Sequence, residues 1–260
     1  MKSFNLKGKV AIVTGGASGL GEAAVERFVA AGGKAAIFDL NDEKGQALAA
    51  KYPGQVIYAH VDVADEASAV AGVAATVAAF GAVHIVVNCA GIPGKLGRIV
   101  GKGGPMALAD FVKVINVNLI GAFNIDRLAV AEMLKNEPDP ETGERGVVIN
   151  VSSLAGIEGQ MGQISYAASK AGVIGMMLPM VRALSQFGVR VLTVAPGLFE
   201  TPMGAGAPPE VKAMLIATLE FPKRMGMPKE FANLVSHLVE NSYLNGELIR
   251  IDAGTRAPPR

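Results

Sequence analysis

Lys9-Val-Ala-Ile-Val13, running on into Thr14-Gly-Gly-Ala-Ser-Gly-Leu-Gly21, is the stretch from which the rest of this 260-residue chain can be organised. A short apolar run ends in a glycine-rich turn. Residues 20–31 then carry apolar side chains at helical spacing and stop at Gly32-Gly33. In a strand, turn and helix of this kind the backbone can approach a pyrophosphate closely and aim helix N-terminal amides at it. The spacing Gly15, Gly19, Gly21 predicts a dinucleotide-binding turn, with Ser18 and Leu20 between the glycines.

Six further apolar runs, at residues 35–38, 56–60, 85–88, 147–151, 189–195 and 248–251, alternate with helical segments. Strands that are almost wholly apolar belong to parallel sheets covered on both faces. The expected fold is therefore α/β: one Rossmann-like domain over residues 1–260, a doubly wound parallel sheet with helices on both faces. Residues 92–105 and 136–146 combine glycine, proline and charge and read as solvated surface insertions, while residues 197–209 have the composition of a lid. Pro179, inside a helical pattern, is expected to kink or break its helix.

Composition limits the partners. Half of the residues are apolar and 18% charged, as suits a compact enzyme rather than a disordered chain. Lys and Arg (24) nearly balance Asp and Glu (23), so no single-sign field favours nucleic acid or an anionic membrane. A small molecule is the expected partner. Cys89 is the only cysteine, and the three histidines lack ligand spacing, so no metal site is expected. No charge occurs between Glu66 and Lys95, but alanine-rich composition and Gly72 and Gly81 point to a buried helix and strand rather than a membrane span. Residues 1–9 show neither an apolar nor an Arg-rich leader, and a reducing compartment fits the lone cysteine; cytoplasmic residence is expected.

The cofactor half of the site reads from strand ends. Asp39 closes the second apolar run, where a carboxylate can accept hydrogen bonds from ribose hydroxyls and repel a 2′-phosphate. Ala17 and Ser18 offer no compensating positive charge, so NAD is expected over NADP. Asp62 and Val63 follow the third run, Asn88, Cys89, Ala90 and Gly91 close the fourth, and ligands of an open α/β sheet gather at these carboxyl ends. Cys89 has no basic partner in sequence and reads as a small residue beside the cofactor, not a nucleophile.

The reacting half is Tyr166-Ala-Ala-Ser-Lys170, with Ser153 thirteen residues before the tyrosine. Tyr166 and Lys170 share a helical face, so the ammonium can stand near the phenol and favour its phenolate. With Thr14 to Gly21, Asn88 to Gly91, Asn118 and Pro196-Gly197, these residues appear in an order and at separations that resemble the short-chain dehydrogenase/reductase family along nearly the whole chain. The resemblance implies Tyr166 as acid/base, Lys170 lowering its pKa and holding the nicotinamide ribose, Ser153 orienting the substrate oxygen and Asn118 supporting a proton-relay water. Ser152 and Asn116 adjoin these positions, but family register selects Ser153 and Asn118.

Both insertions, Ala195-Pro-Gly-Leu-Phe199, Thr201-Pro and Leu244-Asn-Gly-Glu-Leu-Ile-Arg-Ile-Asp252 look like the branch of that family that oxidises 3-hydroxyacyl-CoA thioesters. That likeness implies an NAD-linked homotetramer with secondary action on steroids. It also implies that Ser18, Leu20, Asp39, Asp62, Val63, Cys89, Tyr166, Lys170, Phe199 and Thr201 contact NAD. Rival readings are a 3-oxoacyl-carrier-protein reductase, which would take NADPH, a hydroxysteroid dehydrogenase and a non-catalytic NAD-binding regulator. Lys95, Arg98 and Lys102 in the first insertion are candidates to meet CoA phosphates.

Overall fold

The computed structural model describes residues 6–202 and 208–256. In chain order the elements are β1 Val10–Thr14, α1 Gly19–Ala30, β2 Lys34–Asp39, α2 Asp42–Ala50, β3 Val56–His60, α3 Glu66–Phe80, β4 Ile85–Asn88, β5 Val100–Gly101, β6 Gly104–Pro105, α4 Leu108–Ile115, a π-helical turn Asn116–Ile120, α5 Gly121–Met133, β7 Gly146–Val151, α6 Ile164–Leu184, β8 Val189–Pro196, α7 Pro209–Ala217, α8 Pro228–Glu240 and β9 Leu248–Ile251. Seven strands form one sheet in the order β3-β2-β1-β4-β7-β8-β9, every pair parallel.

The alternation of side chains along these strands feeds two cores. On one face Val13, Ile37, Val87, Ile149 and Leu192 pack with Val25 and Phe28 of α1 and Phe231 and Val235 of α8. On the other, Ile12, Phe38, Val86, Val148 and Val191 pack with Val73 of α3, Ile125 and Met133 of α5 and Met177 of α6. Caps bound the helices where the sequence supplies them: Asn41 and Asp65 accept from Lys44 N and Ser68 N, and Gly81 closes α3 at φ 83°. Strand order reverses between β1 and β4, which opens a crevice at their carboxyl ends.

Two expectations are corrected and a third is narrowed. Helix α6 is not broken at Pro179 but runs on through it. The proline is exposed and so is Gly175, the residue whose carbonyl it displaces, so water can take that carbonyl. The first insertion is not a plain loop, because β5 and β6 pair as a short antiparallel hairpin. The second is pinned rather than merely solvated. Asn136 Nδ2 donates to Val83 O (2.7 Å) and Arg145 O (3.0 Å), and Glu144 meets the buried guanidinium of Arg190 at 2.8 Å. Of the expected lid, residues 203–207 lie outside the described residues. Two helical stretches, Leu108–Met133 and Ile164–Phe187, are long and apolar enough to span a bilayer, yet Ile125, Met133, Val173 and Met177 turn them onto the sheet.

Candidate active site

The glycine turn is shaped by what its residues lack. Gly15 and Gly19 adopt left-handed backbone at φ 61° and 59°. A Cβ on Gly15 would stand 2.9 Å from Ala90 N, and one on Gly21 would stand 2.3 Å from Gly15 O. A side chain at Gly15 would push the β1 turn off the β4 turn, and one at Gly21 would push α1 off the β1 turn. Ser18 is the N-cap residue of α1 but makes no side-chain cap, so the helix presents free amides toward the turn. These residues form a cradle fitted to a pyrophosphate, as a dinucleotide requires.

Asp39 ends β2 beside this cradle. Its Oδ2 accepts from Ala17 N and its Oδ1 from Asn41 N, both at 3.0 Å, so the carboxylate is held against the turn. Asp62 follows β3 with its Oδ1 on Ala64 N (2.9 Å), and Val63 beyond it is buried. Cys89, Ala90 and Gly91 follow β4. Burial pushes the Cys89 thiol up to about 12, which leaves it protonated and without a nucleophilic role. Asn88 does not face the crevice. Its buried amide points beneath the turn, to Asp126 and Asn150.

Gly91 joins the two halves. A Cβ there would lie 3.2 Å from Asn118 Oδ1 and 3.5 Å from Lys170 Nζ. Asn118 sits in the π-helical turn, buried, its amide bonded to Ile92 N (2.8 Å), Ile92 O (2.9 Å) and Ser169 Oγ (3.0 Å). Its side chain is thus a clamp on the segment after Gly91. Pro196, the last residue of β8, is buried; beyond it Gly197 presses on Asp252, Phe199 bridges to Gly226, and Thr201 stands 3.3 Å from where a Cβ on Gly19 would be. The post-β8 segment therefore reaches back to the cradle.

Ser153 and Tyr166 meet in a hydrogen bond that favours the phenolate, while burial raises the phenol more strongly. Burial holds Lys170 down at about 8, and its Nζ donates to Val151 O at 2.8 Å and lies 5.9 Å from the Tyr166 ring centre. The lowering expected of Tyr166 is therefore outweighed by burial in this arrangement. Between the adjacent serines the structure separates roles. Ser152 is buried and donates to Lys170 O (2.8 Å), whereas Ser153 faces the phenol. Asn116 is exposed and Asn118 buried. Sequence reasoning missed Gly156, which lets the turn after Ser153 pack on the α6 backbone at Lys170, and Asp126, whose signal was only a charge within an apolar helical pattern.

A cradle for a dinucleotide set against a serine, tyrosine and lysine at the carboxyl ends of the sheet defines an oxidoreductase that works with a nicotinamide cofactor. A model of the short chain dehydrogenase family matches residues 9–212. The chain is 45% identical over 256 residues to the 3-hydroxyacyl-CoA dehydrogenase type-2 of Homo sapiens and 46% identical over 256 residues to that of Bos taurus, with 98% of each chain covered in both cases. It superposes with a TM-score of 0.93 on the crystal structure of 3-hydroxyacyl-CoA dehydrogenase type-2 from Mycobacterium avium, at 41% identity and covering 97% of this chain and 98% of that one. This chain belongs to the short-chain dehydrogenase family.

Proposed function

We propose that the protein oxidises 3-hydroxyacyl-CoA thioesters, short or branched, to 3-ketoacyl-CoA with NAD. The observation that carries this reading is the Ser153, Tyr166, Lys170 set beside Gly91, in a chain alike over 98% of its length to relatives bearing that name. Asp39 favours NAD, since a carboxylate already fixed by Ala17 N would stand against a 2′-phosphate. Gly15, Ser18, Gly19, Leu20, Gly21, Asp39, Asp62, Val63, the residues 89–91 turn, Pro196, Gly197, Phe199 and Thr201 would hold the cofactor, with Asn88 supporting the turn from beneath. When bound, NAD supplies the hydride acceptor.

The chain's own groups handle the proton. Tyr166 as phenolate takes it from the substrate hydroxyl, and Ser153 hydrogen-bonds the same oxygen as charge develops on it. Ser153 opposes the burial that keeps Tyr166 protonated, Lys170 would add to this from 5.9 Å off the ring centre, and Asn118 fixes the segment from which a relay water would be held. Lys95, Arg98 and Lys102 are exposed on an insertion tied by Gly97 N to Gly162 O (3.1 Å), just before α6, and would meet CoA phosphates. Exposed Leu108, Val112, Ile120 and Phe123, on α4, the π-helical turn and α5, support assembly as a homotetramer. The single cysteine is in keeping with a cytoplasmic setting.

Kinetics across 3-hydroxyacyl-CoA lengths, a branched thioester and a sterol, with NAD and NADP in parallel, test the reading. The highest kcat/KM should fall on a thioester with NAD. A preference for NADPH and 3-oxoacyl thioesters would instead support a biosynthetic reductase. An unchanged KM for CoA substrates after replacing Lys95, Arg98 and Lys102 by alanine would remove the phosphate contact.

A further inference from the structure

Four central strands carry one polar residue each at the same level, Thr14, Asn88, Asn150 and Thr193, partnered in register across β1, β4, β7 and β8. All four are buried. Above them, from α5, comes Asp126, fully buried within a helix face otherwise lined by Ala122, Ile125, Ala129 and Met133. A carboxyl group at such a place is costly to bury, and an apolar side chain would serve packing better.

The hydrogen bonds from this level run in one direction. Ala90 N donates to Thr14 Oγ1 (3.1 Å), and the Thr14 hydroxyl donates to Asn88 Oδ1 (3.3 Å). Asn88 Nδ2 donates to Asn150 Oδ1 (2.8 Å) and to Asp126 Oδ1 (2.7 Å), and Asn150 Nδ2 donates to Asp126 Oδ2 (2.8 Å). The two ends of an asparagine amide are nearly alike in shape, so packing alone does not choose which end points where. An acceptor with two oxygens does choose. With both amide nitrogens drawn to Asp126, Asn88 Oδ1 is left to face Thr14, and the Thr14 oxygen is left to accept from Ala90.

We infer that Asp126 is a positioning residue for the cofactor half of the site: as last acceptor of this chain it orients both asparagines and so holds Ala90 against Gly15. It touches neither substrate nor cofactor. The inference rests on the reading of the residues 89–91 turn as a wall of the nicotinamide cofactor site.

Titration of the purified protein with NADH, alongside steady-state kinetics, tests it. In Asp126→Asn one acceptor becomes a donor facing an amide donor; NADH should bind roughly tenfold more weakly, with KM for NAD rising and KM for the acyl-CoA unchanged. In D126N/N150D the carboxylate is moved across the contact: the amide at 126 donates to it, the Asn88 amide still finds two acceptors, and NADH affinity should return. A structural role alone would move Tm without this split or this rescue. Should the single variant fail to fold, the double variant is still expected to fold and bind. Wild-type affinity in Asp126→Asn, or a double variant no better than the single one, would overturn the inference. Failure of the unsubstituted protein to bind NADH would overturn the cofactor reading, and this inference with it.

Discussion

At the scale of single residues, burial does more than charge to tune this site. Asp126 is held up at about 7 because it is buried, although Asn150 and Asn88 pull it down. Its folded pKa thus exceeds the unfolded value near ~4, so its contribution to stability is fully present below pH ~4 and is lost as pH rises through about 7. The difference in unfolding free energy between the unsubstituted protein and Asp126→Asn should shift toward the variant by up to roughly 4 kcal/mol between pH 4 and 7, then level off. Denaturation series at several pH values would show it, and a flat difference would mean that Asp126 does not titrate there. Tyr166 carries the same sign into catalysis. Because burial raises its phenol, alcohol oxidation should speed up with rising pH as phenolate forms, while reduction of the ketone should slow. Parallel profiles for the two directions would contradict Tyr166 as the acid/base. Tyr166, Lys170 and Ser153 were legible because their chemistry requires a fixed spacing. Asp126 was not, because nothing in one sequence shows that a lone acid on an apolar helix is buried rather than turned outward.

At the scale of elements, the strands were legible to within a residue or two because each is an almost wholly apolar run, and β1, β4, β7 and β8 are buried along their whole length in the sheet. What was missed depends on tertiary partners. The residues 136–146 insertion has loop composition, yet Arg190 Nη1 and Nη2 cap the last carbonyls of α8 at Leu238 and Val239 while its guanidinium holds Glu144. Glu144→Ala would leave that buried cation without its carboxylate and should cost about 2–4 kcal/mol, measurable by urea unfolding; a loss near zero would mean that the insertion is held by its amides alone. In β8, Thr193 carries a buried hydroxyl without a partner among the described residues. Thr193→Val keeps the shape and removes that hydroxyl, and should stabilise by about 1 kcal/mol. The π-helical turn that turns Asn118 inward and the β5–β6 hairpin were equally hidden, since neither a five-residue irregularity nor two-residue strands leave a periodic trace.

At the scale of the whole molecule, the strand-order reversal between β1 and β4 gathers onto one edge residues that lie far apart in sequence: the Gly15 turn, Asp39, Gly91, Ser153, Tyr166 and Thr201. That gathering is what the alternation of strands and helices foretold, and it is why cofactor and catalytic motifs could be placed together before any coordinates. The shapes of the insertions and of the segment after β8, by contrast, are set by tertiary contacts that no spacing reports. The exposed apolar face of α4 and α5, with Leu108 75% and Phe123 50% exposed, should be covered by a second copy. Light scattering is expected to give a tetramer, and Phe123→Asp a smaller species; a monomer in both would contradict the assembly. NAD-linked oxidation of a 3-hydroxyacyl thioester with Tyr166 as the base can be measured as the initial rate of NADH formation from 3-hydroxybutyryl-CoA and NAD by the unsubstituted protein and by Tyr166→Phe. Ready turnover is expected from the first and a loss of roughly 100-fold or more in the second, with NADH still bound; equal rates in the two, or none with the unsubstituted protein, would rule out Tyr166 as the base of such a reaction.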